Sequence, residues 1–353
     1  MAIREKINHF CVFVLIPLLF SACGAPAETE TESETFFAMD TVMTLTIYET
    51  KGGVLQDARA LVEALERELS VTDADSALYA VNRDGGGSVS RDAGALLSTA
   101  LGLCAWTDGA LDVTVYPVSL AWGFTTGDYE IPDRETLDAL LERVDYTRVH
   151  VEANPEAKAM DVTLDAGMML DLGAVAKGYA GDRLRELILK RMGEDAHALL
   201  DLGGNVVAVG TKPDGSPWRI GVRDPDDGTG LAGVIEVADK CVVTSGDYER
   251  YFERDGARYC HIIDPATGEP ARAGQRSVTV VGGAGSGVLC DAYSTALFVM
   301  GPEKAEKFWR ENAGDFDMIL IGENGGVTVT EGLADSFTLA GNYKDAPLTV
   351  LRR

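Results

Sequence analysis

The chain has 353 residues, 46% hydrophobic and 25% charged, enough for one large domain or two modest ones around a substantial core. A formal net charge of −25 and a pI near 4.5 argue against nucleic acid and anionic lipid as partners, by simple repulsion. The same field opposes capture of a polyanionic ligand unless a metal ion or a local basic residue offsets it.

Arg4 and Lys6 precede FCVFVLIPLLF, an apolar run too short and too Pro-broken to span a bilayer. Small Ser21 and Ala22 then lead into Cys23, and LLFSACG resembles a bacterial lipobox, with Phe20 where that pattern prefers leucine. Residues 1–22 are thus expected to be a lipoprotein signal peptide. Residues 23–34 are expected to form an acidic flexible tether, and 35–353 the folded domain. The expected location is extracytoplasmic, with the membrane as a partner through a lipid anchor at Cys23.

TVMTLTIYET alternates as a strand, and LQDARALVEALERELSV has the period of an amphipathic helix. DAGALLSTALGLCAWT reads as a second helix, followed by GALDVTVYPVSLAWGF, in which Pro117 and Gly123 suggest a winding segment. RETLDALLERV is a short helix, and RVHVEA with DVTLD suggests a hairpin. A helix starts soon after DLG, in AVAKGYAGDRLRELILKRM. Strands follow at ALLDL, VVAVG, WRIGVRD and GVIEV. SVTVVG runs through GAGSG into the helix DAYSTALFVM, then PEKAEKFWRENAG forms another helix before strands at DMILIG and GVTVT. Helices and strands interleave without a βαβ rhythm, so the expected class is α+β, a single large mixed domain. Cys104, Cys241, Cys260 and Cys290 lack zinc spacing, and their apolar surroundings favour buried thiols, although export permits disulfides.

Nucleotide motifs fail on spacing. GGAGSGVLCD lies between a strand and a helix but never gives G-x-G-x-x-G, and GAVAKGY lacks the Gly-Lys-Ser/Thr end of a P-loop. Three other constellations carry chemistry. In LDLGAVAKGYAGD, Asp171 precedes a tight turn and Lys177 lies near a helix start, where amides and dipole favour anions. In DAYST, Asp291 and Thr295 are four apart, so both oxygens point to one side of a helix, a hard-oxygen pair suited to Mg²⁺. In CHIIDPATGEP, an Asp-Pro and Thr-Gly turn follows His261. Each alone also reads as ordinary capping and turn chemistry.

Together, and in order, they resemble one family. FFAMDTVMTLTIY, DSALYAVN, GALDVTVYPVSLAWGF, LDLGAVAKGYAGD, LDLGGNVVAVG, TSGDYERYFERDGARYCHIIDPATGEP and DAYSTALFVMG are similar to segments of the FAD:protein FMN transferases, the ApbE-like flavin transferases of bacterial envelopes. The resemblance implies FAD as substrate, transfer of its FMN half to a threonine or serine hydroxyl of an acceptor protein, and release of AMP. Acceptors of the implied kind are NADH:quinone reductase or Rnf-type subunits, or secreted flavoproteins. It also implies FAD contacts at Met39, Ala110, Leu111, Asp112, Asp171, Lys177 and Ile263, with Thr244, Ser245 and Gly246 lining the flavin site. Mg²⁺ would be held by side chains of Asp291 and Thr295 and backbone oxygens of Ala174 and Ser294, with His261 and Asp291 as catalytic candidates. Two departures stand out: Asp40 replaces the family's glycine after Met39, and Thr72 stands where relatives carry an aromatic. FAD hydrolysis to FMN and AMP, or flavin binding without turnover, are the competing readings.

Overall fold

A computed structural model describes residues 30–50, 52–312 and 314–353, so the signal peptide, Cys23 and the start of the expected tether lie outside the described residues. Among those residues the fold is α+β, as expected, built on a nine-stranded sheet. In order across it run Glu32–Ala38, Thr41–Tyr48, His197–Asp201, Asn205–Val209, Lys240–Gly246, Gln275–Gly283, Phe316–Gly322, Val327–Thr330 and Leu348–Leu351. Neighbours pair antiparallel except the last two, which are parallel.

The central strands are apolar on both faces, which is why DMILIG and SVTVVG read as continuous runs rather than alternations. Met318 and Leu320 join the core beneath the helices, whereas Ile319 and Ile321 face the opposite core. That second core is covered by a three-stranded sheet of Trp218–Arg223, Leu231–Val237 and Phe337–Leu339. The result is three layers: helices, large sheet, small sheet.

The helices are α1 (Val54–Leu69), α2 (Ala77–Asp84), α3 (Arg91–Trp106), α4 (Tyr116–Ala121), α5 (Arg134–Leu141), α6 (Gly173–Met192), α7 (Gly287–Met300) and α8 (Pro302–Glu311). Expected helices and strands recur at the expected places. Several elements were not anticipated. α4 forms inside the segment read as winding, with Pro117 in its first turn, where the missing amide costs nothing. α2 is capped by the Ser76 side chain, which accepts from the Leu78 amide. The first strand begins at Glu32, inside the stretch read as tether. Pairing with Thr41–Tyr48 draws it in, as do the contacts of Arg59 with Glu34 and Thr50 with Glu32. The four cysteines of the domain are free and buried, and desolvation pushes the thiols of Cys104, Cys241 and Cys260 up to about 12, 11 and 11.

α6 and α7 cross at a glycine contact that positions the site. A Cβ on Gly178 would fall 2.8 Å from the Asp291 Cβ and closer still to the Gly287 carbonyl. The helices are also laced by side chains. Asp182 on α6 accepts from the amides of Gly287 (2.8 Å) and Val288 (3.0 Å) at the start of α7. Asp291 on α7 accepts from the Gly178 amide on α6 at 2.8 Å. The N-terminus of α7 therefore already holds a carboxylate, and the Gly-rich loop before it is not a phosphate cradle.

Candidate active site

The first turn of α6, the inner face of α7 and the loop carrying His261 meet around a cleft of about 870 Å³, open solvent included. Its walls include Ala110, Leu111, Asp112, Asp171, Ala174, Lys177, Thr244, Ser245, His261, Ile263, Asp291 and Thr295, so most of the expected residues do converge. A second cavity, of about 1190 Å³, contains Met39 and shares Asp171, Gly173, Lys177 and Arg250 with the first. The shared residues mark the junction of a two-lobed site. Ser294 and Gly246 stand back from both: Gly246 is buried behind the cleft wall, and Ser294 is fully buried, donating to the Asp291 carbonyl and bonded to Ser245 Oγ at 2.8 Å.

Each wall is held locally. Asp112 turns its carboxylate inward to accept from Thr114 and the Tyr146 amide, so it fixes the 110–112 turn rather than offering free oxygens. The Asp171 amide donates to the Val113 carbonyl, and its carboxylate accepts from the Gly173 amide, joining that turn to the start of α6. Asn82, from the DSALYAVN motif, pairs with both backbone groups of Leu170 just upstream. The Met39–Asp40 turn has φ of 49° and 57°, the two left-handed residues of a tight hairpin turn. Aspartate tolerates that conformation better than most side chains, so the turn survives the loss of glycine. Thr72 lines the second cavity, whose wall there lacks an aromatic face.

The His261 loop rests on an aromatic cluster. Phe252 stacks on Tyr259 with centroids 5.0 Å apart, and Trp122 donates to the Gly268 carbonyl at 2.8 Å. Asp264 closes the turn by accepting from the amides of Thr267 and Gly268, as the Asp-Pro and Thr-Gly pattern predicts.

The His261 ring places Nδ1 3.2 Å from the Arg250 carbonyl. A carbonyl only accepts, so the proton belongs on Nδ1 and the lone pair on Nε2. The residue is partly exposed at the cleft, yet the surrounding protein desolvates its ring; that first, then Arg250 and Lys177, push its pKa down from 6.5 to about 3, so the ring is neutral at pH 7. The folded value lies below the unfolded one, so protonation favours unfolding. This contribution to stability is full above about pH 6.5 and is lost as pH falls towards 3. The kcat/KM profile, which reports the free enzyme, is expected to show no His261 inflection between about pH 5 and 8. An inflection in that window, absent from a His261→Gln variant with residual activity, would contradict this environment.

Lys177 and Arg250 have no ion-pair partner among the described residues, although carboxylates outnumber cations 56 to 31 in the chain. Two free cations lining the junction make a local positive centre inside an acidic shell, the condition an anionic ligand requires. Glu249 also lines the cleft; its surface reaches solvent there, yet the surrounding protein desolvates the carboxyl enough to raise its pKa, against the pull of Lys177. Arg250, Glu249 and Asn205 were not picked out from sequence, although the first two stand in the TSGDYER segment. Their charge pairing, or lack of it, is visible only in three dimensions.

The donor set fits a hard cation. Asp291 is 3% exposed, with Oδ2 on the Gly178 amide, Oδ1 without a hydrogen-bond partner, and no cation paired to it among the described residues. Thr295, one turn on, has only a 3.4 Å contact to Ser245. Ala174, in the first turn of α6, lines the cleft, and its carbonyl has two lone pairs, one more than a helical bond uses. Among the described residues no trio of His, Cys, Asp or Glu could hold a metal. One carboxylate with neutral oxygens suits Mg²⁺, which keeps water and phosphate in its shell.

The ApbE family model matches residues 39–320, nearly the whole described chain. The chain belongs to the ApbE family. A Treponema pallidum FAD:protein FMN transferase is 35% identical, covering 94% of this chain and 96% of its own. The Escherichia coli K12 protein of the same name is 33% identical over 70% of this chain and 71% of its own. Among solved structures, an ApbE protein from Thermotoga maritima superposes with a TM-score of 0.77 at 32% identity, covering 86% of this chain and 98% of its own. The apo flavinyl transferase ApbE of Pseudomonas stutzeri gives 0.74 at 27% identity, with 87% and 97% covered. The expected ApbE-like fold is thus confirmed over most of the chain.

Proposed function

We propose that this chain is a Mg²⁺-dependent FAD:protein FMN transferase that moves FMN from FAD to a threonine or serine hydroxyl and releases AMP. The observation that carries the reading is the junction of the two cavities. Lys177 and Arg250, without an ion-pair partner among the described residues, lie there, beside Asp291 and Thr295. A dinucleotide laid across both lobes would bring its diphosphate to those groups, and the family relatives bear the transferase name.

Asp291, Thr295 and the Ala174 carbonyl would hold Mg²⁺, which when bound supplies charge neutralisation for the diphosphate and the departing AMP. Lys177 and Arg250 bind and orient the diphosphate oxygens. The acceptor hydroxyl oxygen attacks the phosphorus of the FMN half, the bond to the AMP oxygen breaks, and the hydroxyl proton passes to Nε2 of His261. A pKa near 3 makes His261 a weak base in the free enzyme. Desolvation is the largest cause of that depression; of the smaller ones, the charges of Arg250 and Lys177, the diphosphate would offset both and so favour a proton on the ring.

The decisive experiment is incubation with FAD, Mg²⁺ and a threonine-bearing acceptor. AMP release with an FMN-sized mass gain on the acceptor supports transfer. AMP and free FMN with an unmodified acceptor indicate hydrolysis, and no AMP at all refutes both. Anchoring at Cys23 outside the cytoplasm is part of the same reading and rests on LLFSACG. It predicts membrane fractionation that is lost in Cys23→Ser, and equal partitioning of the two forms would refute it.

A further inference from the structure

Asn205 opens its strand directly after the Gly203-Gly204 turn, where the Leu202 amide donates to the Asn205 carbonyl at 2.8 Å and Asp201 accepts from the Gly203 amide at 3.0 Å. The turn cannot drift. Gly203 has φ of 72°, and a Cβ there would collide with the Thr41 side chain. The residue so fixed is 3% exposed and lines the cleft, yet its Nδ2 is shielded from solvent with no hydrogen-bond partner among the described residues. Its neighbours are provided for: Thr244 pairs with Thr279 at 2.8 Å, and Ser245 with Ser294 at 2.8 Å.

A buried amide donor left unsatisfied is costly, and of the unpartnered buried side-chain atoms among the described residues this is the one whose residue lines the cleft. Phosphate is the poorer candidate partner. Its oxygens only accept, whereas a carboxamide presents a donor beside an acceptor, interchangeable by a half-turn. Lys177 and Arg250 already serve the anion. The complement of a carboxamide is a planar ring edge bearing an N–H next to an acceptor, as in the amino edge of adenine. The imide edge of a flavin carries the same pattern.

We propose that Asn205 is a specificity-determining contact whose carboxamide reads the donor–acceptor edge of a heteroaromatic ring of the bound dinucleotide. The inference rests on the transferase reading and adds to it the residue that selects the ring. The test is calorimetric binding of FAD, FMN, AMP and inorganic pyrophosphate, each with Mg²⁺, to the wild-type chain and to Asn205→Ala. FAD and at least one mononucleotide should bind about tenfold more weakly, with pyrophosphate unchanged. The mononucleotide that weakens names the ring. The melting temperature should hold or rise, because the substitution deletes a buried group that has no partner. Asn205→Leu keeps the approximate volume, loses both polar atoms without adding charge and should show the same selective loss. Unchanged affinities in both variants, or a loss that includes pyrophosphate, would overturn the proposal. So would a fall in melting temperature with every ligand weakened alike. Failure of FAD to bind the wild-type chain would instead refute the transferase reading, a distinguishable result.

Discussion

Asp291→Ala is expected to cut both AMP release and FMN transfer roughly a thousandfold, the scale on which removing a group that stabilises developing charge is felt. The carboxylate is the single anionic oxygen donor in the proposed cation set. Oδ1 has no partner among the described residues, and Asp291 lines the same cleft as Thr295. Loss of folding is the competing explanation, because the Gly178 amide loses its acceptor in this variant. Asp291→Asn separates the two. It keeps an oxygen for the Gly178 amide and removes only the charge, so it should melt near the wild type while losing the Mg²⁺ dependence of FAD binding. Full activity with an unaltered Mg²⁺ response in Asp291→Asn would show that this carboxylate does not hold the metal.

Gly178→Ala should be nearly as damaging, although it touches no substrate. The added methyl group would sit 2.8 Å from the Asp291 Cβ and nearer still to the Gly287 backbone, which cannot swing aside as a long side chain could. The helices must part. Overpacking of this kind costs about 1–3 kcal/mol, and a shift of about 1 Å in a positioned group can cost roughly a hundredfold in rate. Gly102→Ala is the control. It lies in the interior of α3 with nothing within 4 Å of a new Cβ, so it should leave activity alone and raise stability by about 0.5–1 kcal/mol. Denaturant unfolding and steady-state rates on the two variants would decide. A fully active, fully stable Gly178→Ala chain would mean the crossing is looser than drawn.

Much of this architecture was legible in the sequence, and what was missed has physical causes. The i, i+4 spacing of Asp291 and Thr295 placed both on one helix face, and they do share the cleft. The Asp-Pro and Thr-Gly turn after His261 formed as its residue types require. α4 escaped notice because Pro117 looks like a breaker until its place in the first turn is known. The strand Leu348–Leu351 is too short to show a period, and its parallel pairing with Val327–Thr330 is a long-range choice. The site residues that escaped share one property. Asn205, Glu249 and Arg250 are distinguished by partners they lack, and a missing partner leaves no trace in local sequence. Asp182 illustrates the converse. An unremarkable helix aspartate fills the anion-binding end of α7, which explains structurally why the glycine-rich loop gave no nucleotide fingerprint.

A crystal of the chain soaked with FAD and Mg²⁺ tests the centre of this account most directly. The predicted density shows the diphosphate spanning the junction between Lys177 and Arg250, with a metal ion bound by Asp291 and Thr295 and one half of the dinucleotide in each cavity. A well-occupied FAD lying elsewhere, or a diphosphate at the junction with no metal against Asp291, would contradict it.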